Sequence, residues 1–222
     1  MSAVRLAVFD CDGTLVDGQA DVCWAMDRAF ARAGLSAPDM QAVRRIVGLS
    51  LPVAVRSLAP NLPEDQARAV TEFYRSSFRA RREEGLLDEP LYDGIAELLG
   101  SLRDAGWSLA VATGKSDRGL AACLACHGIA DMFVSLQTAD RHPSKPHPAM
   151  LEAALYEAGA APREAVMIGD TSFDMLMARS AGVRAVGVAW GYHAPAELLA
   201  SGAISVAETS AALGKALEET LG

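Results

Sequence analysis

Asp10-Cys11-Asp12-Gly13-Thr14-Leu15 is the stretch around which this chain is organised. It follows Val4-Arg5-Leu6-Ala7-Val8-Phe9, an apolar run rich in β-formers and short enough for a buried strand. Two carboxylates therefore stand just past a strand end. Gly13 permits a sharp turn there, because glycine tolerates backbone angles that other residues avoid. In open α/β sheets, ligands bind at the C-terminal ends of the strands. Taken alone, the stretch also reads as a polar turn punctuated by Asp12-Gly13, and the surrounding chain has to decide.

Downstream, residues 20–34 place Val22, Ala25, Met26, Ala29, Phe30 and Ala33 at helical spacing, with Gly34 as a stop. Residues 39–47, 51–58 and 64–82 read as three further helices. The last carries an apolar stripe of Ala67, Val70, Phe73, Tyr74 and Phe78. No strand pattern interrupts residues 18–88. From Tyr92 onward the texture alternates. Helices at 95–105, 117–127, 148–158 and 173–181 separate strands at 108–112, near 132–135, at 165–168 and at 185–188. Such alternation predicts a parallel sheet covered by helices on both faces. The expectation is an α/β fold, a doubly wound, Rossmann-like parallel sheet formed by residues 1–17 and 89–222. A helical domain, residues 18–88, is inserted after the first strand.

Composition limits the function classes. Lys and Arg total 20 against 28 Asp and Glu, a formal charge of −8, which suits a soluble acidic protein and argues against nucleic-acid binding. No stretch is long and apolar enough to span a bilayer, and the N-terminus lacks the features of a secretory signal, so a cytoplasmic location and no membrane partner are expected. The four cysteines, at 11, 23, 123 and 126, are too few and too unevenly spaced for a disulfide framework. Cys123, Cys126 and His127 do spell the C-x-x-C-H pattern of haem attachment. They fall in an Ala- and Leu-rich helical stretch, and haem attachment would need export of which the sequence shows no sign, so a haem or redox role is not expected.

Three more polar sites follow predicted strands: Thr113-Gly114-Lys115-Ser116, Gly169-Asp170-Thr171-Ser172-Phe173-Asp174, and between them the loop His142-Pro143-Ser144-Lys145-Pro146-His147-Pro148. Parallel strands put these ends on one edge of a sheet, so their side chains can converge. Several carboxylates without a Cys/His cluster suit a hard cation such as Mg²⁺. The Thr113 hydroxyl, the backbone amides after it and the Lys145 ammonium suit a phosphoryl group. Asp10 can attack phosphorus, and Asp12 can protonate the leaving oxygen and later activate water. Each element alone has a plainer reading. Thr113-Gly114 is a common helix start, Lys145 a surface lysine, and Gly169-Asp170 a turn with a helix cap.

In that order and placement, the motifs resemble those of the haloacid dehalogenase superfamily of phosphatases. Asp10 to Asp17 resembles its first motif and Thr113-Gly114 its second. Ser144-Lys145-Pro146 resembles the third, and Gly169-Asp170 with Asp174 the fourth. Helices inserted after the first motif are similar to the cap of the phosphoglycolate phosphatase and β-phosphoglucomutase branch. Gly187-Val188-Ala189-Trp190-Gly191-Tyr192 also resembles the phosphoglycolate phosphatase group. The resemblance implies Asp10 as nucleophile and Mg²⁺ ligand, Asp12 as acid/base ligating through its carbonyl, and Thr113 and Lys145 as phosphate holders. Asp170 would complete the metal site with Asp174 in support. An Asp at position 12, rather than an aromatic or a small residue, separates the chain from the dehalogenases and phosphonatases. Val22 stands where the mutases carry a cap histidine.

The expected activity is Mg²⁺-dependent hydrolysis of a small organic phosphate monoester, 2-phosphoglycolate first, through an aspartyl-phosphate. A sugar-phosphate phosphatase, a β-phosphoglucomutase-like phosphotransferase and a catalytically idle phospho-ligand binder are the alternatives. The expected partner is a small phosphorylated metabolite, and the expected assembly a monomer or homodimer. The resemblance places Arg44, Arg45 and Gly48 where cap loops face the active site, with Gly114 beside the phosphate. The plainer reading makes both arginines solvated helix surface. Arg75, Arg79, Arg81 and Arg82 read as a solvated helix end, and the aromatics of that helix as cap core.

Overall fold

The structure, a computed structural model, describes residues 4–221. Its centre is Leu6–Phe9 (β1), every residue of which is buried. Two parallel neighbours flank it: Ser108–Thr113 (β2) pairs Val8 with Ala110, and Ala165–Gly169 (β4) pairs Val8 with Met167. Ser135–Thr138 (β3), Arg184–Val188 (β5) and Ser205–Ala207 (β6) extend the sheet, whose order is β3-β2-β1-β4-β5-β6. The strand order reverses between β1 and β4. That switch point opens a crevice beyond the carboxyl ends of the two strands, where Asp10 and Asp170 follow.

Between β1 and the rest of the sheet lie Gln19–Arg32 (α1), Met40–Arg45 (α2), Leu51–Leu58 (α3) and Glu64–Glu83 (α4). Their stripes meet in a separate apolar core of Val22, Met26, Phe30, Val43, Val55 and Val70. Asp39 starts α2 by accepting hydrogen bonds from the Gln41 and Ala42 amides at 3.3 and 3.0 Å. The strands entering and leaving this insert run side by side. The Asp17 amide donates to the Pro90 carbonyl at 2.9 Å and the Tyr92 amide to that of Leu15 at 3.0 Å.

Side chains alternate across the sheet as strand geometry requires. Ala7 and Phe9 join one core with Val111 and Ile168, while Leu6 and Val8 join the other with Ala110 and Met167. Ile95–Asp104 (α5), Asp117–Cys126 (α6) and Ser210–Leu221 (α10) cover the first face. Ala149–Ala158 (α7), Ser172–Ser180 (α8) and Pro195–Ser201 (α9) cover the second. Burial of a side chain such as Phe9 stabilises the fold by about 1.5–3 kcal/mol. Cys123 is part of the first core, and His127 approaches the Glu89 carbonyl at 2.8 Å through Nε2.

The third strand departs from the sequence expectation. Residues 130–132 form a short 3-10 turn, and the strand occupies 135–138 instead of 132–135. Its polar residues are buried but paired: Gln137 donates to Ser135 Oγ at 2.8 Å and Thr138 to Asp117 Oδ1 at 2.6 Å. Buried polar pairing of this kind leaves no apolar run to read. The C-terminal α9, β6 and α10 were likewise not apparent from sequence pattern, β6 being only three residues long.

Candidate active site

Asp10 leaves β1 with its amide bonded to the Ile168 carbonyl at 2.8 Å, which fixes it against the end of β4. Its Oδ1 accepts from the Cys11 amide at 2.6 Å and lies 2.9 Å from Lys145 Nζ. Its Oδ2 is buried and has no hydrogen-bond partner among the described residues. Lys145 is itself buried and reaches Asp174 Oδ1 at 2.6 Å, so one ammonium bridges two carboxylates. Asp174 Oδ2 accepts from the Thr171 hydroxyl at 2.7 Å and the Thr171 amide at 3.1 Å. Asp170 takes the Thr14 hydroxyl on Oδ1 at 2.8 Å and the Tyr192 amide on Oδ2 at 2.9 Å.

Asp10, Asp170 and Asp174 each place a carboxylate oxygen within 4.8 Å of the others. Burial pushes the Asp10 carboxyl up to about 7, with Asp174 adding to the rise and Lys145 opposing it. Asp170 rises well above the carboxylate range, first through burial and then through Asp10 and Asp174. Lys145 would lose its proton more easily by burial alone, but Asp10 and Asp174 reverse that and hold it charged. Buried carboxylate charge shared among Asp10, Asp170 and Asp174, in excess of the one ammonium of Lys145, is the donor set a hard divalent cation fits. Asp174 holds the Lys145 ammonium on one oxygen and the Thr171 hydroxyl and amide on the other, which suits a role in positioning Lys145 beside Asp10 and Asp170.

Asp12 lies outside that group. Its Oδ1 is 2.9 Å from Lys115 Nζ, and Lys115 also contacts Glu89 Oε1 at 2.5 Å. Burial alone would lower the Lys115 pKa, yet Asp12 and Glu89 raise it well above normal. Thr113 is buried at the end of β2 and accepts from the Lys115 amide at 3.3 Å. Gly114 is a glycine for a steric reason. A Cβ there would come within 2.6 Å of the Gly48 and Leu49 carbonyls, so the insert presses directly on this turn. Gly48, at φ +96°, brings its backbone toward Asp10, and a Cβ would meet Oδ2 at 3.8 Å. Gly13, at φ +83°, lies against Asp170 and Tyr192.

Asp10, Thr113, Lys145, Asp170 and Asp174 are thus gathered at one sheet edge, with Asp12, Gly48 and Gly114 facing the cleft under the insert. Arg45 is placed elsewhere. It makes a bidentate ion pair with Glu197 at 3.1 and 3.2 Å and does not line that cleft. The reading of the α4 arginines also changes, because Arg75, Arg79 and Arg82 line the cleft together with Tyr74 and Phe78. Arg81 instead pairs with the buried Asp21. Thr14, Thr171, Lys115 and Glu89 are partners that sequence reading did not single out. The first three lie inside or beside the motifs, whereas nothing local marks Glu89.

The comparisons agree with this geometry. Residues 7–188 match the family model described as haloacid dehalogenase-like hydrolase. The probable phosphatase IndB of Dickeya dadantii is 36% identical over 201 residues, covering 88% of this chain and 86% of that protein. The phosphoglycolate phosphatase of Vibrio vulnificus is 33% identical over 217 residues, covering 95% and 94%. The crystal structure of a predicted phosphatase from Clostridium acetobutylicum superimposes with a TM-score of 0.88 at 26% identity, covering 98% and 100%. The chain belongs to the haloacid dehalogenase-like hydrolases. Both of these relatives bear the name of a phosphatase.

Proposed function

We propose that this protein is a Mg²⁺-dependent phosphatase that hydrolyses an organic phosphate monoester through an aspartyl-phosphate on Asp10. The observation that carries the reading is the free, buried Oδ2 of Asp10 beside an ammonium already in place at Lys145. Oδ1 is held by the Cys11 amide and Lys145, so the other oxygen is the one available to phosphorus. Asp10 and Asp170 would hold the cation, with the Asp12 carbonyl completing the protein ligands and Asp174 fixing Lys145. When bound, Mg²⁺ would neutralise charge between an anionic nucleophile and an anionic ester. Lys145 and the Thr113 hydroxyl would orient the phosphoryl oxygens. Asp12 would give its proton to the leaving oxygen and recover one from water.

Residues 18–88 would act as a cap over a core formed by 1–17 and 89–222, excluding water when closed. Val22 lines the cleft at the position of the mutase histidine, which favours hydrolysis over phosphotransfer. The expected partner remains a soluble small metabolite, with the protein acting as a monomer or homodimer in the cytoplasm. Among the described residues no helix is long and apolar enough to cross a membrane. Because curated relatives bear the name phosphoglycolate phosphatase, 2-phosphoglycolate is the ester with which assays begin. Phosphate release should require Mg²⁺ and stop with a chelator, and enzyme quenched in acid during turnover should carry phosphate on the Asp10 peptide. Turnover in metal-free buffer without such labelling would defeat the proposal.

A further inference from the structure

The cleft between the insert and the sheet has a volume of about 500 Å³, and a glycolate tail would fill only a small part of it. Pockets of this size enclose ligands with a substantial body. One end is chemical, with Asp12, Gly48, Gly114 and Lys115. The wall above it is apolar and aromatic. Tyr74 and Phe78, stacked with ring centroids 5.4 Å apart, stand there with Met26 and Ile46. The rim is basic: Arg75, Arg79 and Arg82 follow one another along α4, and Arg118 faces them from α6. This is a concentration of positive charge on a chain whose net charge is −8.

These cations are not equally engaged. Arg82 lies 3.9 Å from Glu89, beside Lys115 and therefore near the chemical end. Arg75 pairs with Glu72 at 2.7 Å on the helix surface, and Arg118 is 3.9 Å from Glu83. Arg79 has no ion-pair partner among the described residues. At a rise of about 1.5 Å per residue, Arg75 lies roughly 10 Å along the helix from Arg82, and Arg79 stands between them.

We propose that the preferred substrate is an elongated ester with its phosphate at Asp10, an apolar body against Tyr74 and Phe78, and a second anionic group at Arg79. This deepens the phosphatase reading and rests on it. Phosphoglycolate carries the second anion without the body. Hexyl phosphate has the body without the anion, and phosphonooxyhexanoate has both.

The test measures kcat/KM for these three esters with Mg²⁺, in the wild type and in Arg79→Ala and Arg79→Gln. Phosphonooxyhexanoate should exceed hexyl phosphate by about 10-fold or more, as one charge-assisted contact provides, and should also exceed phosphoglycolate. Both variants should erase the advantage over hexyl phosphate, the loss on phosphonooxyhexanoate exceeding that on hexyl phosphate by about 10-fold. An equal loss on both long esters, a surviving advantage, or better use of phosphoglycolate would overturn the proposal. Calorimetry with the phosphonate analogue of phosphonooxyhexanoate separates the two readings. If no ester turns over, the phosphatase reading fails. Analogue binding that weakens in Arg79→Ala would still support the cleft assignment, and absent or unaltered binding would overturn it.

Discussion

The carbonyl of Arg45, in the helical insert, lies 3.1 Å from Nε2 of His193, which follows β5. His193 Nδ1 accepts from the Ser172 amide at 3.1 Å, so the ring proton sits on Nε2 and points at the insert. One buried imidazole thereby ties the start of α8 to the end of α2. Replacing His193 with Leu should leave both backbone groups unpaired and cost about 1–3 kcal/mol in urea denaturation. It should also raise KM more than it lowers kcat, because it loosens the insert without touching the carboxylates. The neighbouring Arg45–Glu197 pair is exposed, so Arg45→Ala should leave the melting temperature and the preference among esters unchanged. A selective loss on anionic esters in that variant would restore Arg45 as a substrate contact.

Asp10→Asn would remove the proposed nucleophile with almost no change of shape. Turnover should fall by at least ~10³-fold, the scale seen when a covalent nucleophile is deleted. The amide can still accept from the Cys11 N–H through its oxygen, so folding should survive. Residual activity near that of the wild type, in protein freed of contaminating phosphatase, would remove the covalent mechanism.

Metal removal should expose the buried carboxylates as a pH-dependent weakness. The Asp10 pKa rises from 3.8 to about 7 on folding, and that of Asp170 rises too. A group whose folded pKa is raised binds its proton more tightly in the native state. Its contribution is complete below the unfolded pKa and is lost as pH rises through the folded one. In chelator, denaturation should therefore show stability falling between about pH 4 and pH 7, by up to ~1.4 kcal/mol per pH unit for each group. Mg²⁺ should restore stability at neutral pH, where the carboxylates ionise to meet it, and Asp170→Asn should remove part of both effects. A metal-free profile that is flat or rises over this range, identical in Asp170→Asn, would contradict the electrostatics described for the site.

Asp10, Thr113 and Asp170 were legible because each ends or closely follows a strand with a clear apolar run, as Phe9 precedes Asp10 and Ile168 nearly precedes Asp170. Lys145, beyond the polar strand β3, was legible only through the motif Ser144-Lys145-Pro146. The cleft was not legible. Arg75, Arg79 and Arg82 share a helix with Arg81, and only the docking of α4 shows which of them face the core and which pair with Asp21. Arg45 is placed by the family resemblance where cap loops face the active site, against a plainer reading as solvated helix surface. Its side chain is instead drawn to Glu197, a partner 152 residues away. Long-range pairing of polar side chains leaves no periodic trace in sequence, which is also why Glu89 was missed.

Glu89 provides the last prediction. Lys115 is shared between it and Asp12 at 2.5 and 2.9 Å, and all three side chains are largely buried. Removing the lysine, as in Lys115→Met, strands two buried carboxylates and should destabilise the protein by about 3–5 kcal/mol. Glu89→Gln is a milder change, because Asp12 still balances the ammonium. Its consequence should be kinetic. With only one carboxylate left to hold, Lys115 should settle more firmly on Asp12 and restrain the group proposed to protonate the leaving oxygen. Loss of one charge-assisted contact is worth about 1.5–3 kcal/mol, so kcat should fall by roughly 10- to 100-fold. KM and the Mg²⁺ requirement should be little altered, since Asp10 and Asp170 are untouched. If Glu89→Gln raised KM and left kcat intact, Lys115 would be serving the substrate and not Asp12.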